Sequence, residues 1–414
     1  MLAQITTSKA PRMLDEIVVL IRSFRLSRFK SPTAQKTVAL QVPHRVCLYG
    51  RGVKRISRAI FRWKRAMNRS RVTLRDLAND LGLAVITVSK AIRNHPDISK
   101  QTKARVQQRI RELHYQPNWA ARSLATGKNF SIGVIVPDLV HPFFAEVVKG
   151  ISAEVRAEGY SVMIASSEED LQMEHQQVEF FLGRQVDALI LASVQPTMEI
   201  VQLIESRGVP FSLIDRRLEN ANCNFVGVDD ERMGYISTEH LIEVGCRRIA
   251  HIRGPEISTG IGRVRGYMKA LGEHQHKVRA EYIVSRDSSD TRADASGYEA
   301  MKHLLAMRPV PDGVVCYNDP TALGAIKAIF EAGLKVPQDV AVIGAGNDRY
   351  ASELRVPLST IDQQHHMIGQ RAAKLVLHAI SADEPVKPKV VLLVPQLIVR
   401  ESTLRRKSAG KGKT

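Results

Sequence analysis

The sequence predicts a small all-α head of the helix-turn-helix type, joined by a short segment to a two-lobed α/β core with parallel sheets. Residues 71–117 carry apolar side chains at helical spacing on either side of a glycine turn. Residues 128–404 alternate short apolar runs with helical stretches, which is typical of α/β domains. A chain of 414 residues is long enough for two or three such domains.

The first predicted helix of the head begins after Thr73. Its inward positions are Leu74, Leu77, Ala78 and Leu81, which recur on one helical face. Thr73 is a suitable N-cap, and Asp76 at the third helical position suits the positive end of the helix dipole. Gly82 then allows the tight turn that ends the helix.

Two further helices complete the predicted head. The second has inward Val88, Ala91 and Ile92, outward Val85, Ile86, Ser89 and Lys90, and a closing turn at Asn94, His95 and Pro96. Ser99 is the predicted cap of a third helix, which carries Val106, Ile110 and Leu113 on one face. Three short helices around a glycine turn are the pattern of a helix-turn-helix module, whose second helix enters the DNA major groove.

Three motifs of the head and of the segment after it carry a family resemblance. Val72 begins V-T-L-R-D-L-A, Gly82 begins G-L-A-x-x-T-V-S-K, and Tyr115 begins Y-Q-P-N-x-x-A-R-S-L-x-T-G. These motifs closely resemble the lactose-repressor (LacI/GalR) family of bacterial transcription regulators. The similarity continues through Glu401 and covers roughly four-fifths of the chain. It implies a DNA-binding regulator, in most cases a repressor, that is not an enzyme and uses no cofactor.

The resemblance also implies which residues contact DNA. In the family, the segment at 118–127 becomes a hinge helix on the operator, and its leucine, here Leu124, wedges into the central base step from the minor groove. Such a wedge can offset a few kcal/mol of unstacking when the bend brings more protein into contact. The alternative is that Leu124 is an ordinary core leucine. The implied DNA-binding residues are Thr73, Val85, Ile86, Thr87, Ser89, Lys90, Asn94, Asn118, Ala121, Arg122 and Leu124.

The second helix departs from the family pattern at several positions. Ala84 stands where most members have a serine that caps this helix, a loss that should cost about 1 kcal/mol. Lys90 replaces the usual arginine and cannot form a bidentate fork with guanine. Val85 and Ile86 are apolar and favour contact with thymine methyl groups. These positions therefore do not specify an operator sequence.

The core reads as strands buried on both faces, alternating with helices, which predicts parallel sheets with right-handed crossovers. The strand-like runs are Ile132–Val136, Ser161–Ala165, Ala188–Leu191, Phe211–Ile214, Ile249–Ile252, Gly313–Cys316 and Val340–Ile343, and the helical stretches include Phe144–Glu158, Glu174–Leu182 and Thr321–Ala332. Seven or more such units fit two lobes better than one. Ligands in such folds bind beyond the carboxyl ends of the strands, so a cleft between the lobes is the expected site.

The core resembles the effector-binding domain of the same family, which is similar to periplasmic sugar-binding proteins. The resemblance places lobe one at about 129–228 plus 359–388 and lobe two at about 229–358 plus 389–404. It implies a homodimer formed through lobe-one helices, a pseudo-palindromic double-stranded operator and a small-molecule effector. The predicted effector-binding residues are Phe143, Phe144, Arg216, Asp229, Arg263, Asn318, Asp319 and Gln363.

Each of the main effector candidates has a purely structural alternative. Phe143 could be a core phenylalanine, Arg263 a partner in a structural ion pair, and Asp319 a helix cap. Gly346 stands where many relatives carry an aspartate that holds the ligand, with Asp348 two residues further on. Without that carboxylate the effector class stays open among sugars, sugar acids, sugar phosphates and less usual ligands.

Other features of the core argue against catalysis or metal binding. The glycine-rich loops at Gly260 and Gly344 lack the spacing of a dinucleotide fingerprint. The pair His365–His366 reads as a solvated helix start rather than a metal site. The four cysteines include no C-x-x-C pair and suit a reducing cytoplasm, and no apolar run approaches the 18 residues of a membrane span. We therefore expect a cytoplasmic protein without metal or membrane anchor.

The net charge of +18 is unevenly distributed along the chain. Residues 1–66 hold fifteen Lys or Arg and two acids, which accounts for +13 of it. This basic extension is expected to be an upstream-extended reading frame or a disordered basic arm. A short basic tail follows at 405–414, and it has no leucine heptads that would form a coiled coil.

The sequence thus predicts a transcriptional repressor whose operator affinity is controlled by a small-molecule effector. One alternative keeps DNA binding but has a core that binds no ligand. The other is a solute-binding protein of a transporter, which predicts a signal peptide and no helix-turn-helix head.

Overall fold

The computed structural model describes residues 72–116, 123, 126–218, 221–285 and 293–405. One compact unit ends at Gln116, and the second begins at Pro117. The basic extension, residues 406–414 of the tail and the predicted hinge residues Asn118, Ala121, Arg122 and Leu124 lie outside the described residues. Among the described helices, none combines the length and apolar character needed to cross a bilayer.

The head contains three short helices around one small core. They are α1 (Leu74–Leu81), α2 (Val85–Ile92) and α3 (Lys100–Glu112). Leu77, Ala78, Val88, Ala91 and Val106 are buried together. The predicted caps are confirmed: Thr73 and Asp76 form a reciprocal capping box, Gly82 ends α1 at φ 65°, and Ser99 accepts the Thr102 N–H. The helix-turn-helix prediction is therefore confirmed.

The described part of the core forms two six-stranded sheets. In chain order the strands are β1 (Ser131–Val136), β2 (Ser161–Ser166), β3 (Ala188–Leu191), β4 (Phe211–Ile214), β5 (Asn224–Val228), β6 (Ile249–Arg253), β7 (Ile283–Ser285), β8 (Gly313–Cys316), β9 (Ala341–Gly346), β10 (Ser359–Asp362), β11 (Val390–Leu393) and β12 (Gln396–Ile398). The first sheet has the order β11-β5-β4-β3-β1-β2, and the second has the order β12-β10-β9-β8-β6-β7. Every pairing is parallel except that of β10 with β12.

Helices cover both faces of each sheet. They are α4 (Pro142–Ala157), α5 (Leu171–Gly183), α6 (Glu199–Ser206), α7 (Asp230–Glu243), α8 (Ser258–Glu273), α9 (Ala293–Ala306), α10 (Asp319–Glu331) and α11 (His365–Ser381). Helices α4 and α11 pack on one face of the first sheet, and α5 and α6 pack on the other. Helices α7 and α8 cover one face of the second sheet, and α9 and α10 cover the other. The predicted two-lobed architecture with parallel sheets is confirmed.

The predicted lobe boundaries need one correction, because two strands lie in the opposite lobe. Strand β10 pairs with β9 in the second sheet, and β11 pairs with β5 in the first. The chain therefore crosses into lobe one after Asp362 rather than before Ser359, and it returns to lobe two after Leu393. The β10 run contains Ser359 and Thr360, whose buried hydroxyls bond to Thr403 and Asp319. Partners so distant in sequence cannot be read from a local pattern.

Candidate functional site

The outward face of α2 combines exposed apolar side chains with an uncapped N-terminus. Val85 and Ile86 are 41% and 66% exposed at the start of this helix. Ala84 occupies the N-cap position and makes no side-chain cap hydrogen bond. Thr87 and Ser89 are half-buried on the same helix. The most exposed side chains of the first turn are therefore apolar, and this turn carries no charged group.

Lys90 forms an ion pair with Asp97, a residue that the sequence did not indicate as its partner. Its Nζ lies 3.0 Å from Asp97 Oδ2, and the Nδ1 of His95 lies 3.3 Å from the same oxygen. The hydrogen bond from Lys90 lowers the pKa of Asp97. Asn94 is exposed with φ 55°, and its carbonyl accepts a hydrogen bond from Lys103. The one cation predicted on α2 is therefore paired within the head.

Thr73, by contrast, already uses its side chain within α1. Its Oγ1 accepts the Asp76 N–H at 3.2 Å and donates to the Asp76 carboxylate at 2.7 Å. The hydroxyl stays exposed, so a further contact from outside remains sterically open.

In the core, left-handed backbone conformations concentrate at the carboxyl ends of strands. Non-glycine residues with positive φ follow β2 (Glu168 and Glu169), β4 (Asp215), β9 (Asn347) and β10 (Gln364). Such conformations cost of the order of 1–3 kcal/mol each and gather at functional sites. Their placement marks the ends of both sheets as the candidate site.

Polar groups from the two lobes meet directly across this cleft. The contacts are His141 Nε2 to Asn318 Nδ2 at 3.1 Å, Glu146 to Arg349 at 3.0 Å, and Arg217 N–H to Ser258 Oγ at 2.9 Å. The first two join the start of α4 to lobe two, and the third joins the segment after β4 to the start of α8. The cleft is therefore bridged by polar contacts from separate elements of each lobe.

Arg263 lies at the centre of a buried network in this cleft. Its Nε donates to Asp230 at 2.9 Å, its Nη1 to the Tyr317 carbonyl at 2.6 Å, and its Nη2 to Gln363 Oε1 at 3.4 Å. The guanidinium carbon stands 4.5 Å from the centre of the Tyr317 ring. Burial raises the pKa of Asp230 to about 6, although Arg263 acts in the opposite direction. The ion pair considered as the structural alternative for Arg263 thus exists, and its partner is Asp230.

Arg216 forms a second internal ion pair. It is only 7% exposed, and its Nη1 and Nη2 bond Glu169 at 2.8 and 2.6 Å. Its Nε has no hydrogen-bond partner, and the nearest acid to it, Asp215, is 3.9 Å away. Burial raises the pKa of Asp215. Two arginines and three carboxylates therefore alternate along the cleft, with Asp215 near both cations.

The wall formed by lobe two contains two buried carboxylates. Asn318 Oδ1 accepts the Thr321 N–H at 2.9 Å, so Asn318 is the N-cap of α10. The alternative that Asp319 is the helix cap is therefore wrong. Asp319 instead accepts the Thr360 hydroxyl at 2.6 Å and the Asp348 N–H at 2.8 Å. Burial raises the pKa of Asp319 to about 7 and that of Asp348 to about 6.

Two carboxylates, those of Asp319 and Asp348, lie close to Gly346. A Cβ placed on Gly346 would be 3.2 Å from Asp319 Oδ2 and 3.4 Å from Asp348 Oδ1. Its φ of 141° is one that other residues rarely adopt. Asp348 thus brings its carboxylate back beside the position that lacks one.

The remaining predicted effector residues differ in their surroundings. Phe143 and Phe144 are buried, with ring centres 4.9 Å apart, and Phe143 also contacts the His365 ring at 4.7 Å. Asp229 is exposed and caps α7 by accepting the Arg232 N–H at 2.9 Å. The neighbouring Asp230, rather than Asp229, faces Arg263. Among the described residues, no group of His, Cys, Asp and Glu side chains is arranged to hold a metal ion.

Unsatisfied polar atoms are concentrated at this cleft. Among the described residues, five buried side-chain polar atoms have no hydrogen-bond partner. Four of them belong to Ser167, Arg216, Arg253 and His365, which lie at or just beyond the carboxyl ends of β2, β4, β6 and β10. Each such group costs about 1–3 kcal/mol unless something bonds it. The cleft is therefore the place where a bound polar molecule would recover the most energy.

Sequence reasoning missed Asp230, Tyr317, Glu169 and Asp97. The first two had a signal, because both lie at or next to the carboxyl ends of strands, where ligands of this fold class bind. Glu169 also follows the end of a strand, β2, whereas Asp97 had no comparable signal. The pairing of these acids with Arg216 and Lys90 depends on how the chain folds back.

Two family models match the chain. Residues 73–118 match the model described as bacterial regulatory proteins, lacI family, and residues 238–403 match the periplasmic binding protein-like domain. The HTH-type transcriptional repressor PurR of Pectobacterium atrosepticum is 34% identical over 333 residues, which is 80% of this chain and 96% of that protein.

Solved structures show the same similarity. The lac repressor dimer bound to operator and the anti-inducer ONPF aligns with a TM-score of 0.69 at 27% identity, over 81% of this chain and all of that one. The complex of the transcriptional regulator CelR with cellobiose aligns with a TM-score of 0.62 at 27% identity, over 80% of this chain and all of that one. A LacI family regulator from Enterococcus faecium with bound ribose has a TM-score of 0.60 at 27% identity, over 67% and 100% of the two chains.

Proposed function

Because the chain belongs to the lacI family of bacterial transcription regulators, we propose that it represses transcription as a homodimer on operator DNA, controlled by an effector in the inter-lobe cleft. Head and core both match, so the chain combines a DNA-binding head with an effector-binding core. In this role it acts on chromosomal DNA in the cytoplasm.

The observation that carries the effector proposal is the set of unsatisfied buried polar atoms at the strand ends. Ser167, Arg216, Arg253 and His365 come from both lobes, so one small polar ligand could bond to groups on either side. The CelR and Enterococcus faecium relatives hold cellobiose and ribose. A ligand of the sugar type, with several hydroxyl groups, fits such a set of donors and acceptors.

In the head, we assign base contact to the exposed start of α2. Val85 and Ile86 would pack on thymine methyl groups, and Lys90 would reach a phosphate or a guanine when it leaves Asp97. Leu124 would act as the minor-groove wedge, with Asn118, Ala121 and Arg122 beside it. Two heads are needed for a pseudo-palindromic operator.

The proposed dimer surface lies on lobe one. Strand β2 is at the edge of the first sheet, and its Ile164 is 47% exposed. On the adjacent α5, Leu171 and Phe180 are similarly exposed. Apolar side chains on an edge strand and a neighbouring helix suit burial against a second copy of the chain.

The mechanism is a shift between two arrangements of the lobes. Contacts such as His141 with Asn318 and Glu146 with Arg349 hold one arrangement. An effector changes the balance only through its different affinity for the two arrangements. The lobe angle then determines whether the paired segments at 118–127 can fold on DNA.

A second candidate function is DNA binding with a core that takes no ligand. The observation in its favour is that Arg216 and Arg263 are already neutralised by Glu169 and Asp230. A core of this kind would serve for dimerisation only.

Selection of random duplexes by the purified full chain, at near-physiological salt, tests the DNA-binding part. Salt must be controlled because phosphate contacts alone give non-specific binding. We expect a pseudo-palindrome with a fixed central step. A pool without any enriched motif would contradict the proposal. Operator titrations with candidate effectors then separate the responsive core from the ligand-free one.

A further inference from the structure

We propose that the effector is a hydroxylated amine, of which amino sugars are the simplest, because carboxylates outnumber cations among the described groups of the cleft. This inference rests on the proposed effector function of the cleft and names the chemical class of its ligand.

The excess of carboxylates over cations comes from residues at or near the strand ends and from Arg263 of α8. The carboxylates are Glu169, Asp215, Asp230, Asp319 and Asp348, and the cations among them are Arg216 and Arg263. Other charges at the rim cancel in pairs: Glu146 with Arg349 and Glu256 with Arg253. Asp362 and Arg400, which both bond Asn347, also cancel. These five carboxylates and two arginines, when fully ionised, therefore carry a surplus of three negative charges.

Two of these carboxylates retain acceptor capacity. Among the described residues, Asp215 accepts no hydrogen bond, and its nearest cationic atom is Arg216 Nε at 3.9 Å. Its backbone has φ 62°, which the fold holds at the end of β4. Asp348 uses Oδ2 to accept the Tyr350 hydroxyl at 3.1 Å, while its Oδ1 lies beside Gly346. One acceptor thus comes from each lobe, so an ammonium group on a ligand in the cleft has an ionisable acceptor on either side.

Buried neutral and cationic groups without partners account for the hydroxyl part of the ligand. Arg216 Nε, His365 Nε2 and Ser167 Oγ belong to side chains that are more than nine-tenths buried, and none of these atoms has a hydrogen-bond partner. Hydroxyl groups can donate or accept and so satisfy all three kinds of atom. A ligand that matches the cleft would therefore carry hydroxyl groups as well as a positive charge.

The titration behaviour of the acids points in the same direction. Burial raises the pKa of Asp215, of Asp230 to about 6, and of Asp348 to about 6, since two arginines do not compensate this much buried charge. An ammonium group would favour the ionised forms and lower these pKa values. Binding of an amine near pH 6 should then release protons. A sugar acid or sugar phosphate would add to the surplus negative charge instead.

Calorimetry on the full chain with matched sugars tests the proposal at pH 6.5. The probes are D-glucosamine, D-galactosamine and D-mannosamine, each against its neutral parent sugar, with glucose 6-phosphate and gluconate as anions. We expect at least one amine to bind tenfold or more tightly than its parent, with proton release seen in two buffers of different ionisation enthalpy. The anions should bind more weakly than either.

Two substitutions provide independent checks on the two lobes. Asp215→Asn and Asp348→Asn should each reduce amine affinity at least tenfold and narrow the preference over the parent sugar. Asp383→Asn, at an exposed position after α11, is the charge-matched control and should change neither.

The possible failures are distinguishable. If a neutral or anionic sugar binds as tightly as the amines and shifts operator affinity, the amine class is wrong and the effector function stands. If no probe binds while operator binding is intact, the amine proposal is overturned and the ligand-free core is favoured.

Discussion

Asp348 donates its backbone N–H to Asp319 Oδ2 at 2.8 Å, and this bond places two acids side by side at the end of β9. Asp319 is fully buried and also accepts the Thr360 hydroxyl at 2.6 Å from β10. A Cβ at Gly344 would overlap the Asp319 carboxylate, so glycine at this position is what admits the acid between the strands. The pair therefore joins β9, β10 and α10 at the wall of the cleft.

We predict that this pair makes the stability of the core depend on pH. Burial raises the pKa of Asp319 from 3.8 to about 7 and that of Asp348 to about 6. The folded state then binds protons that the unfolded state has released, so the free energy of unfolding falls as pH rises between about 4 and 7. An asparagine at position 319 cannot titrate. The melting temperature of Asp319→Asn, relative to that of the wild type, should therefore rise as pH increases from 5 to 7.5.

The melting temperature of Asp319→Asn must be compared with that of the wild type at each pH, because other groups oppose the fall in stability with rising pH. Burial lowers the pKa of His251 and of His365 to about 4, which raises stability with pH below 6.5. This contribution is common to both proteins and cancels in the difference. If the melting temperatures of the wild type and of Asp319→Asn changed with pH in parallel over the whole range, Asp319 would not be the group that holds the extra proton.

The sequence predicted those features that depend on neighbours along the chain. The caps at Thr73 and Ser99 and the apolar strand runs are local, and the structure has them where expected. A strand-end position also identified Arg216, because ligands of parallel sheets bind there, whereas Arg263, inside α8, was identified by the family resemblance. The partners of both arginines escaped prediction, since Glu169 lies 47 residues from Arg216, and Asp230 lies 33 residues from Arg263. Such pairings follow from sheet order and helix packing, which no local pattern encodes.

We predict that Arg263→Ala destabilises the core as well as removing an effector contact. The substitution leaves Asp230 buried without its partner, a change that typically costs 3–5 kcal/mol. A second substitution, Asp230→Asn, should restore much of that loss. Urea unfolding of the single and double variants measures the effect.

The double variant also tests the effector role of the pair Arg263 and Asp230. Folded Arg263→Ala/Asp230→Asn should bind operator with wild-type affinity and no longer respond to effector. A full response in this variant would show that Arg263 serves only as a structural ion-pair partner.

We predict that Leu124→Ala weakens operator binding much more than binding to bulk DNA. A minor-groove wedge contributes only where the duplex is bent at a defined step, whereas non-specific binding depends on phosphate contacts. Titration of operator and random duplexes at one salt concentration gives both affinities. Leu139→Ala, at an exposed position in the core, is the matched control. Equal losses on the two kinds of DNA would favour an ordinary packing role for Leu124.

We predict that Asp97→Asn strengthens DNA binding by the head severalfold. The substitution releases Lys90 from its 3.0 Å ion pair and removes a negative charge near the proposed DNA surface. One more cation free to neutralise a phosphate should make affinity fall more steeply with salt concentration. Asp383→Asn, far along the chain in the core, makes the same charge change as a control. An unchanged salt slope would mean that Lys90 does not face the phosphates.

The last prediction concerns the missing cap of α2. Ala84 has φ −65° and ψ 143°, the extended conformation of an N-cap residue, but it has no side-chain acceptor for the Thr87 N–H, which donates to the Ala84 carbonyl at 2.9 Å instead. Ala84→Ser should supply that acceptor and stabilise the helix by about 1 kcal/mol. Hydrogen exchange at the Thr87 amide should slow about fivefold, the factor that corresponds to this energy. Ala84→Gly is the control, because it changes the backbone without adding an acceptor. If both variants exchange alike, the start of α2 is held by the packing of its Val88 in the cluster that contains Leu77, and serine at this position would help binding only by contacting phosphate directly.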